Sequence, residues 1–295
     1  MHLHRPLFSL LATFFLSLGG VSLTNAIVDP DGALRTNIVG LYFSTEREFK
    51  NAAAAEPFDT LILGSSRATY IPTKAVGQTK VLNAAWSGGV PEEFLSFLEA
   101  RLRDQTVYIG FDLFMFNTNF QPNHSTIWGD WSIDNYVAYI LNGQILLKSL
   151  RAIGYQYRGV ASEYSEDGTR TTLRRDNRDR AGIVDSGKRD FSTFKYSEKR
   201  AAVLANIQSL CDKRGAKCVA FIGPINEHEL EQIDTQAASQ LARMREDVRA
   251  AFHCTFDFSE SDYSKDRYFW KSDKTHYRPE TALLFFSKIR SAKAC

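Results

Sequence analysis

Five short, continuous apolar runs set the terms on which this 295-residue chain can fold. They are FDTLILGSS (58–66), KVLNAA (80–85), TVYIGFDLF (106–114), CVAFIGPI (218–225) and CTFDF (254–258). Their apolar residues are consecutive rather than alternating. A strand with one wet face alternates apolar and polar residues, whereas a strand covered on both faces does not. Helical patterns lie between the runs. Residues 91–103 open with Pro91, Glu92 and Glu93, residue types that suit a helix N-terminus. Residues 195–213 place Ala202, Leu204, Ile207 and Leu210 at helical spacing, and Gly215 can end that helix. Residues 228–252 read as one long helix, and Pro279 opens a last one through Leu283, Leu284, Phe286 and Ile289. Alternating strands and helices predict an α/β fold: a three-layer α/β/α domain on a mainly parallel five-stranded sheet.

Two segments depart from that rhythm. Residues 115–193 follow the third run as an insertion. Its first half predicts a helix over 134–152. Its second half, 161–192, carries seven Lys/Arg and seven Asp/Glu and reads as a polar loop or hairpin, the more mobile part of the insertion, lying beside the site. The other departure is at the start, where residues 6–23 hold no charge after Arg5, and Thr24-Asn25-Ala26 then offers small residues. This predicts a signal peptide over 1–26 or a retained signal-anchor helix, with 27–295 as the exported domain. Arg5 ahead of the apolar run places the N-terminus inside and the body in the periplasm or another extracytoplasmic space, anchored at the inner membrane by 6–23. An exported compartment permits disulfides among Cys211, Cys218, Cys254 and Cys295, and three pairings remain open. Lys+Arg of 36 against Asp+Glu of 34 provides no basic face for nucleic acid.

In an open parallel sheet, ligands bind beyond the carboxyl ends of the strands. The first run ends in Gly64-Ser65-Ser66-Arg67, the second in Asn83-Ala84-Ala85-Trp86-Ser87-Gly88-Gly89, and the third near Asp112 and Asn117. The fourth ends in Asn226-Glu227-His228, and Asp273-Lys274-Thr275-His276 precedes the last helix. Ser66 at a strand-to-helix turn is a candidate nucleophile. A serine hydroxyl needs a base, and that base needs orienting, which Asp273-x-x-His276 can supply.

These blocks resemble those of the SGNH hydrolases, also called GDSL esterases and lipases. The first block, Gly-Asp-Ser in the family, reads Gly64-Ser65-Ser66 and makes Ser66 the nucleophile. The last, Asp-x-x-His, matches Asp273 and His276. The second, Asn-x-Gly-x-Ser-Gly, reads Asn83-Ala84-Ala85-Trp86-Ser87-Gly88, so Ala85 stands where a glycine N–H meets the oxyanion. The third, Gly-x-Asn-Asp, reads Gly110-Phe111-Asp112 and lacks the asparagine, a place Asn117 could fill. The resemblance thus implies Ser66, Ala85 and Asn117 as oxyanion donors. The Gly-Ser-Ser-Arg form with Asp29-Pro30 also looks like an exported branch of the superfamily, related to alginate acetylation and teichoic-acid D-alanylation.

Together these residues lead to an expected function: an exported serine esterase or O-acyltransferase acting on O-acyl groups of a cell-envelope or extracellular polysaccharide. Arg67, Trp86 and His228 are candidate substrate-binding residues; the other readings are that Arg67 pairs with a carboxylate, that Trp86 fills a gap beside the turn instead of stacking on a sugar, and that His228 is exposed at a helix start. Trp128, Trp131, Tyr136, Tyr139, Tyr155 and Tyr157 of the insertion offer further rings. No metal or other cofactor is implied. A membrane acyltransferase is a possible partner beside the acylated polymer or a small ester. Two other readings stay open: a non-catalytic scaffold of an acylation machine, and an anion- or nucleotide-binding domain using Gly64–Arg67 as a cradle.

Overall fold

The computed structural model describes residues 4–42, 46–78, 80–121, 128–171, 191–271 and 273–292, with side chains from residue 16 onward. The chain opens with α1 (His4–Val28) and α2 (Glu46–Ala53), then enters the sheet through β1 (Thr60–Leu63) and β2 (Val81–Asn83). Helix α3 (Pro91–Arg101) leads to β3 (Thr106–Phe111). The insertion supplies α4 (Ile133–Ile140) and α5 (Gly143–Tyr157). Then come α6 (Glu198–Arg214), β4 (Lys217–Ile222), α7 (Glu227–Gln236), α8 (Ala238–Ala251) and β5 (Thr255–Asp257). A small ribbon of β6 (Phe269–Trp270) and β7 (Asp273–Tyr277) precedes α9 (Pro279–Ser291).

The main sheet is parallel throughout, in the order β2-β1-β3-β4-β5. All five apolar runs are strands, and the continuous pattern has a direct cause: both faces are covered. Leu61, Leu63, Val107, Ile109, Phe111, Ala220 and Ile222 face α3, α6 and α8 in one core layer. Ile62, Tyr108, Val219 and Phe221 face Ala282, Phe285, Phe286 and Ile289 of α9 in the other. Each such aliphatic side chain contributes roughly 1.5–3 kcal/mol by leaving water, and the buried polar side chains of these strands, such as Asn83, are hydrogen-bonded. Cys211 of α6 and Cys218 of β4 form a disulfide beneath the first layer, selecting one of the open pairings; Cys295 lies outside the described residues.

Two helical readings are corrected. The segment 228–252 is two helices, broken at Ala237, whose backbone leaves the helical region (φ −146°, ψ 24°). The segment 134–152 is also two, because the Asn142 side chain turns back to accept the N–H groups of Gln144 and Ile145 and so starts α5 afresh. Helix α2 and the β6–β7 ribbon were not foreseen.

In the polar half of the insertion the hairpin alternative holds where the structure describes it, and the solvated reading does not. Residues 172–190 lie outside the described residues. Residues 163–171 form the hairpin, closed by a Tyr164–Arg170 bridge. The hairpin caps the free edge of β2. The Asp167 carbonyl accepts the Asn83 N–H (2.8 Å), the Thr69 carbonyl accepts the Arg170 N–H (2.8 Å), and Thr73 donates to the Asp167 carboxylate (2.5 Å). Gly168, at φ 78°, lets the chain pass so close that a Cβ there would land on the Asn83 carbonyl. Its charges are packed rather than solvated because they are paired: Glu163 with Arg170, and Asp167 with the Ser165 hydroxyl, the Thr169 N–H and the Thr73 hydroxyl.

Lys50 of α2 fastens this cap. It is fully buried and donates to the carbonyls of Asn83 and Gly168, with the Tyr164 ring 5.2 Å away. Burial pushes its pKa down to about 7, against the opposing pull of Glu46 and Asp167. A neutral amine still carries two N–H groups, enough for both carbonyls. Between pH 7 and 10.5 the unfolded chain holds this proton and the folded chain does not, so stability rises with pH across that window. Relative to Lys50→Met, the wild type is expected to gain on the order of 1 kcal/mol per pH unit near pH 8–9 in urea unfolding. Equal pH slopes in the two proteins would refute this.

Candidate functional site

The order β2-β1-β3 places β1 where the chain changes its direction of travel across the sheet, the position at which an open sheet leaves a crevice at its carboxyl end. Ser66 follows β1 there. The backbone turns sharply at Gly64 (φ 151°), where a Cβ would sit 2.6 Å from that of Ala68 and 3.3 Å from the Gly110 carbonyl. Gly64→Ala is therefore expected to cost roughly 1–3 kcal/mol in urea unfolding; an unchanged midpoint would show that the turn has room to relax. The expected helix after Ser66 is a single 3-10 turn, Ala68–Tyr70. Its dipole is accordingly small, and what the turn offers an anion is individual N–H groups. Among the described residues no acceptor takes the Ser66 N–H.

The antiparallel β6–β7 ribbon carries the other two residues to this turn. Alternation along β7 buries Asp273, Thr275 and Tyr277 while His276 stays half-buried. His276 Nε2 lies 2.8 Å from Ser66 Oγ, and its Nδ1 lies 2.8 Å from Asp273 Oδ2. Burial alone would raise the Asp273 carboxyl. Hydrogen bonds and charge from His276, with the Thr275 hydroxyl and amide, outweigh it and hold the group well below the usual carboxylate range. Asp273 is thus an acceptor at any working pH. The proton between it and the ring belongs to Nδ1, which leaves the Nε2 lone pair facing the serine hydroxyl. Thr275, given no role by the sequence, donates to Asp273 Oδ1 at 2.6 Å and meets His276 Nδ1 at 2.9 Å. Tyr70 packs its ring edge-on to the imidazole, with centroids 5.5 Å apart.

The turn is held by a buried ionic network. Arg67 is paired with Asp112 at 3.3 Å and Glu229 at 2.5 Å, and all three are buried. Burial would lower the arginine pKa, but the two carboxylates outweigh it and keep the guanidinium charged. Ser65 donates to Asp112 and accepts the Arg67 N–H at 3.1 Å. The ends of β1 and β3 and the start of α7 are thereby bound across the crevice.

Several expected roles are replaced by this geometry. Arg67 points into the ionic network, not toward solvent, which is the carboxylate-pairing reading of this residue, and there it positions the turn. Trp86 is 0% exposed, donates to Glu93, and packs on Phe94, Phe97 and Trp128; it is core and presents no face to a sugar. Ala85 is buried, and its N–H donates to Asn83 Oδ1 at 3.1 Å, which removes it as an oxyanion donor in this conformation. Asn83 uses its amide nitrogen on the carbonyls of Ala68, Thr69 and Ile71, buttressing the turn that follows Ser66. The Asn117 side-chain oxygen accepts the N–H groups of Asn119 and Lys195, and its backbone bridges to Tyr196. Asn117 thus fastens the chain's return to α6 rather than facing the serine. His228 is half-exposed at the start of α7, 3.7 Å from Asp266, which in turn holds Lys274 two residues before His276. Among the insertion's rings, Trp128 packs on Trp86, Trp131 packs on Tyr136 and Tyr139, and the Tyr139 hydroxyl donates to Asp29.

Among the described residues, no group of three or more His, Cys, Asp or Glu is placed to hold a metal ion. What the arrangement can do is remove a proton from Ser66 Oγ and return it. No protein-family model matches the chain, and no curated protein matches it.

Proposed function

We propose that the protein is a serine esterase or O-acyltransferase of the SGNH kind, exported and acting on O-acyl groups of an envelope or extracellular polysaccharide. The observation that carries this reading is the relay Asp273–His276–Ser66, with 2.8 Å at each link. In the proposed reaction Ser66 Oγ attacks the acyl carbonyl and His276 Nε2 takes its proton. The tetrahedral oxyanion forms against the Ser66 N–H. The proton passes to the departing sugar oxygen, the C–O ester bond breaks, and the acyl group stays on Ser66. Water or a second hydroxyl, deprotonated by the same nitrogen, then releases it. The polysaccharide assignment rests on the resemblance of Gly64–Arg67 and Asp273–His276 to the exported branch. Partnership with a membrane acyltransferase belongs to the same reading.

One observation favours a second reading, a non-catalytic scaffold. The two further oxyanion donors expected from the resemblance, at Ala85 and Asn117, are engaged elsewhere. Treatment of the folded protein with a fluorophosphonate probe separates the two. Stoichiometric labelling of Ser66, mapped by peptide mass spectrometry, is expected for the enzyme. Absence of labelling, with the protein folded, would favour the scaffold.

A further inference from the structure

The large exposed apolar side chains are not scattered over this molecule. Leu16, Leu18, Leu23 and Ile27 lie on α1; Ile133, Tyr136 and Val137 on α4; Leu147, Leu150, Ile153 and Tyr157 on α5. Leu141 joins α4 to α5, Val160 follows α5, and Ile38 follows α1. On the rest of the described surface, Leu284 is the one other. Single exposed leucines need no explanation, but a concentration on three adjoining helices does.

Those helices form one body. Asn25 of α1 is completely buried and donates to the carbonyls of Ile140 and Asn142 (2.9 and 3.0 Å), while its own oxygen accepts from Ser149 (3.1 Å). Asp29, just past α1, accepts from the Tyr139 hydroxyl and from the N–H groups of Leu34 and Thr36. Asp31 is paired with Lys148 of α5 at 2.9 Å. Before this clasp, residues 16–20 of α1 are exposed, with none of the described residues covering them. They belong to the uncharged stretch 6–23.

We infer that α1 is retained in the mature protein and that the α4–α5 hairpin, clasped to it, lies in the headgroup layer of a lipid bilayer. Three observations select lipid as the occupant. The apolar surface of the α4–α5 hairpin is continuous with α1, whose stretch 6–23 carries no charge. Exposed Tyr136 and Tyr157 have the amphipathic character that favours the interface. Helix α5 has no acidic residue and presents Arg151, with Arg158 at its end, as partners for anionic headgroups. Removal of residues 1–26 would delete Asn25 and leave two carbonyls and the Ser149 hydroxyl without their partner, a reason for the fold to keep the segment.

The test uses the full chain in vesicles of phosphatidylcholine and phosphatidylglycerol at 3:1. The described residues hold no free cysteine, so Leu150→Cys and Tyr157→Cys can each carry a polarity-sensitive fluorophore, with Leu284→Cys as the reference. Tyr157 is 94% exposed, so its replacement leaves the fold alone even if Leu150→Cys perturbs α5. Doxyl-labelled lipid is expected to quench the hairpin probes severalfold more than the Leu284 probe. Intact mass of protein extracted from membranes is expected to include residue 25. Equal quenching at all sites, shielding of the hairpin from aqueous iodide without lipid quenching, or a mature N-terminus at Ile27 would each overturn the inference. None of these readouts depends on Ser66.

Discussion

Ser66→Ala and His276→Ala are each expected to lower turnover of a small acetyl ester by roughly 10⁶-fold, and the double variant by little more, because a nucleophile and its base act as one unit. The argument is geometric. Ser66 Oγ is a weak nucleophile unless its proton has somewhere to go, and the one ring nitrogen facing it is His276 Nε2 at 2.8 Å. Asp273→Asn is expected to cost about 10⁴-fold, since an amide in place of an ionised carboxylate no longer selects the Nδ1–H tautomer. Thr275→Val serves as a graded probe: it removes one donor from Asp273 while leaving the carboxylate, and its loss should be far smaller. Circular dichroism and urea midpoints near wild type in the Ser66 and His276 variants complete the test. Wild-type turnover in Ser66→Ala would remove the nucleophile assignment and direct attention to Ser65, even though that hydroxyl is committed to Asp112.

The sheet was legible because burial on both faces writes a continuous apolar run, and nothing else in a chain of this composition does so five times over. Ser66, His276 and Asp273 were legible as a set because strand ends confine chemistry to a few loops. The ribbon that carries Asp273 and His276 was not. DKTHY has one aromatic residue and three charged or titratable ones; it is a strand because β6 pairs with it, not because of its own propensity. Helix α2 was missed for a related reason: EREFKNAA is polar, and its burial comes from the ends of β2 and the hairpin closing over it. The hairpin at 163–171 shows the limit of counting charges. Seven of each sign over 161–192 reads as solvated, but Glu163 and Arg170 neutralise each other within the hairpin, and Thr73 reaches Asp167 from outside it. Trp86 and Arg67 illustrate the same limit at the site. A large aromatic residue and a cation beside a catalytic turn look like ligand contacts until the depth of the turn is known.

The stability of the site depends on that depth, and Arg67→Met is expected to show it. Arg67 stands between Asp112 and Glu229 with all three side chains withdrawn from water. A well-packed apolar replacement of a whole buried network can be neutral, but removing one member leaves the others as uncompensated buried charge, at about 3–5 kcal/mol. Arg67→Met takes the guanidinium from two buried carboxylates at once, so a loss within that range is expected in urea unfolding. Adding Glu229→Gln removes one stranded charge and should recover part of the loss. Had Arg67 been a substrate contact on an open surface, Arg67→Met would leave the urea midpoint within about 0.5 kcal/mol of wild type and act on substrate affinity alone. An exposed arginine and a buried one therefore predict opposite outcomes in a measurement that needs no knowledge of the substrate. If the midpoint does fall, activity in Arg67→Met should be lost together with the position of Ser66, because the guanidinium and Ser65 together tie the end of β1 to β3 and α7.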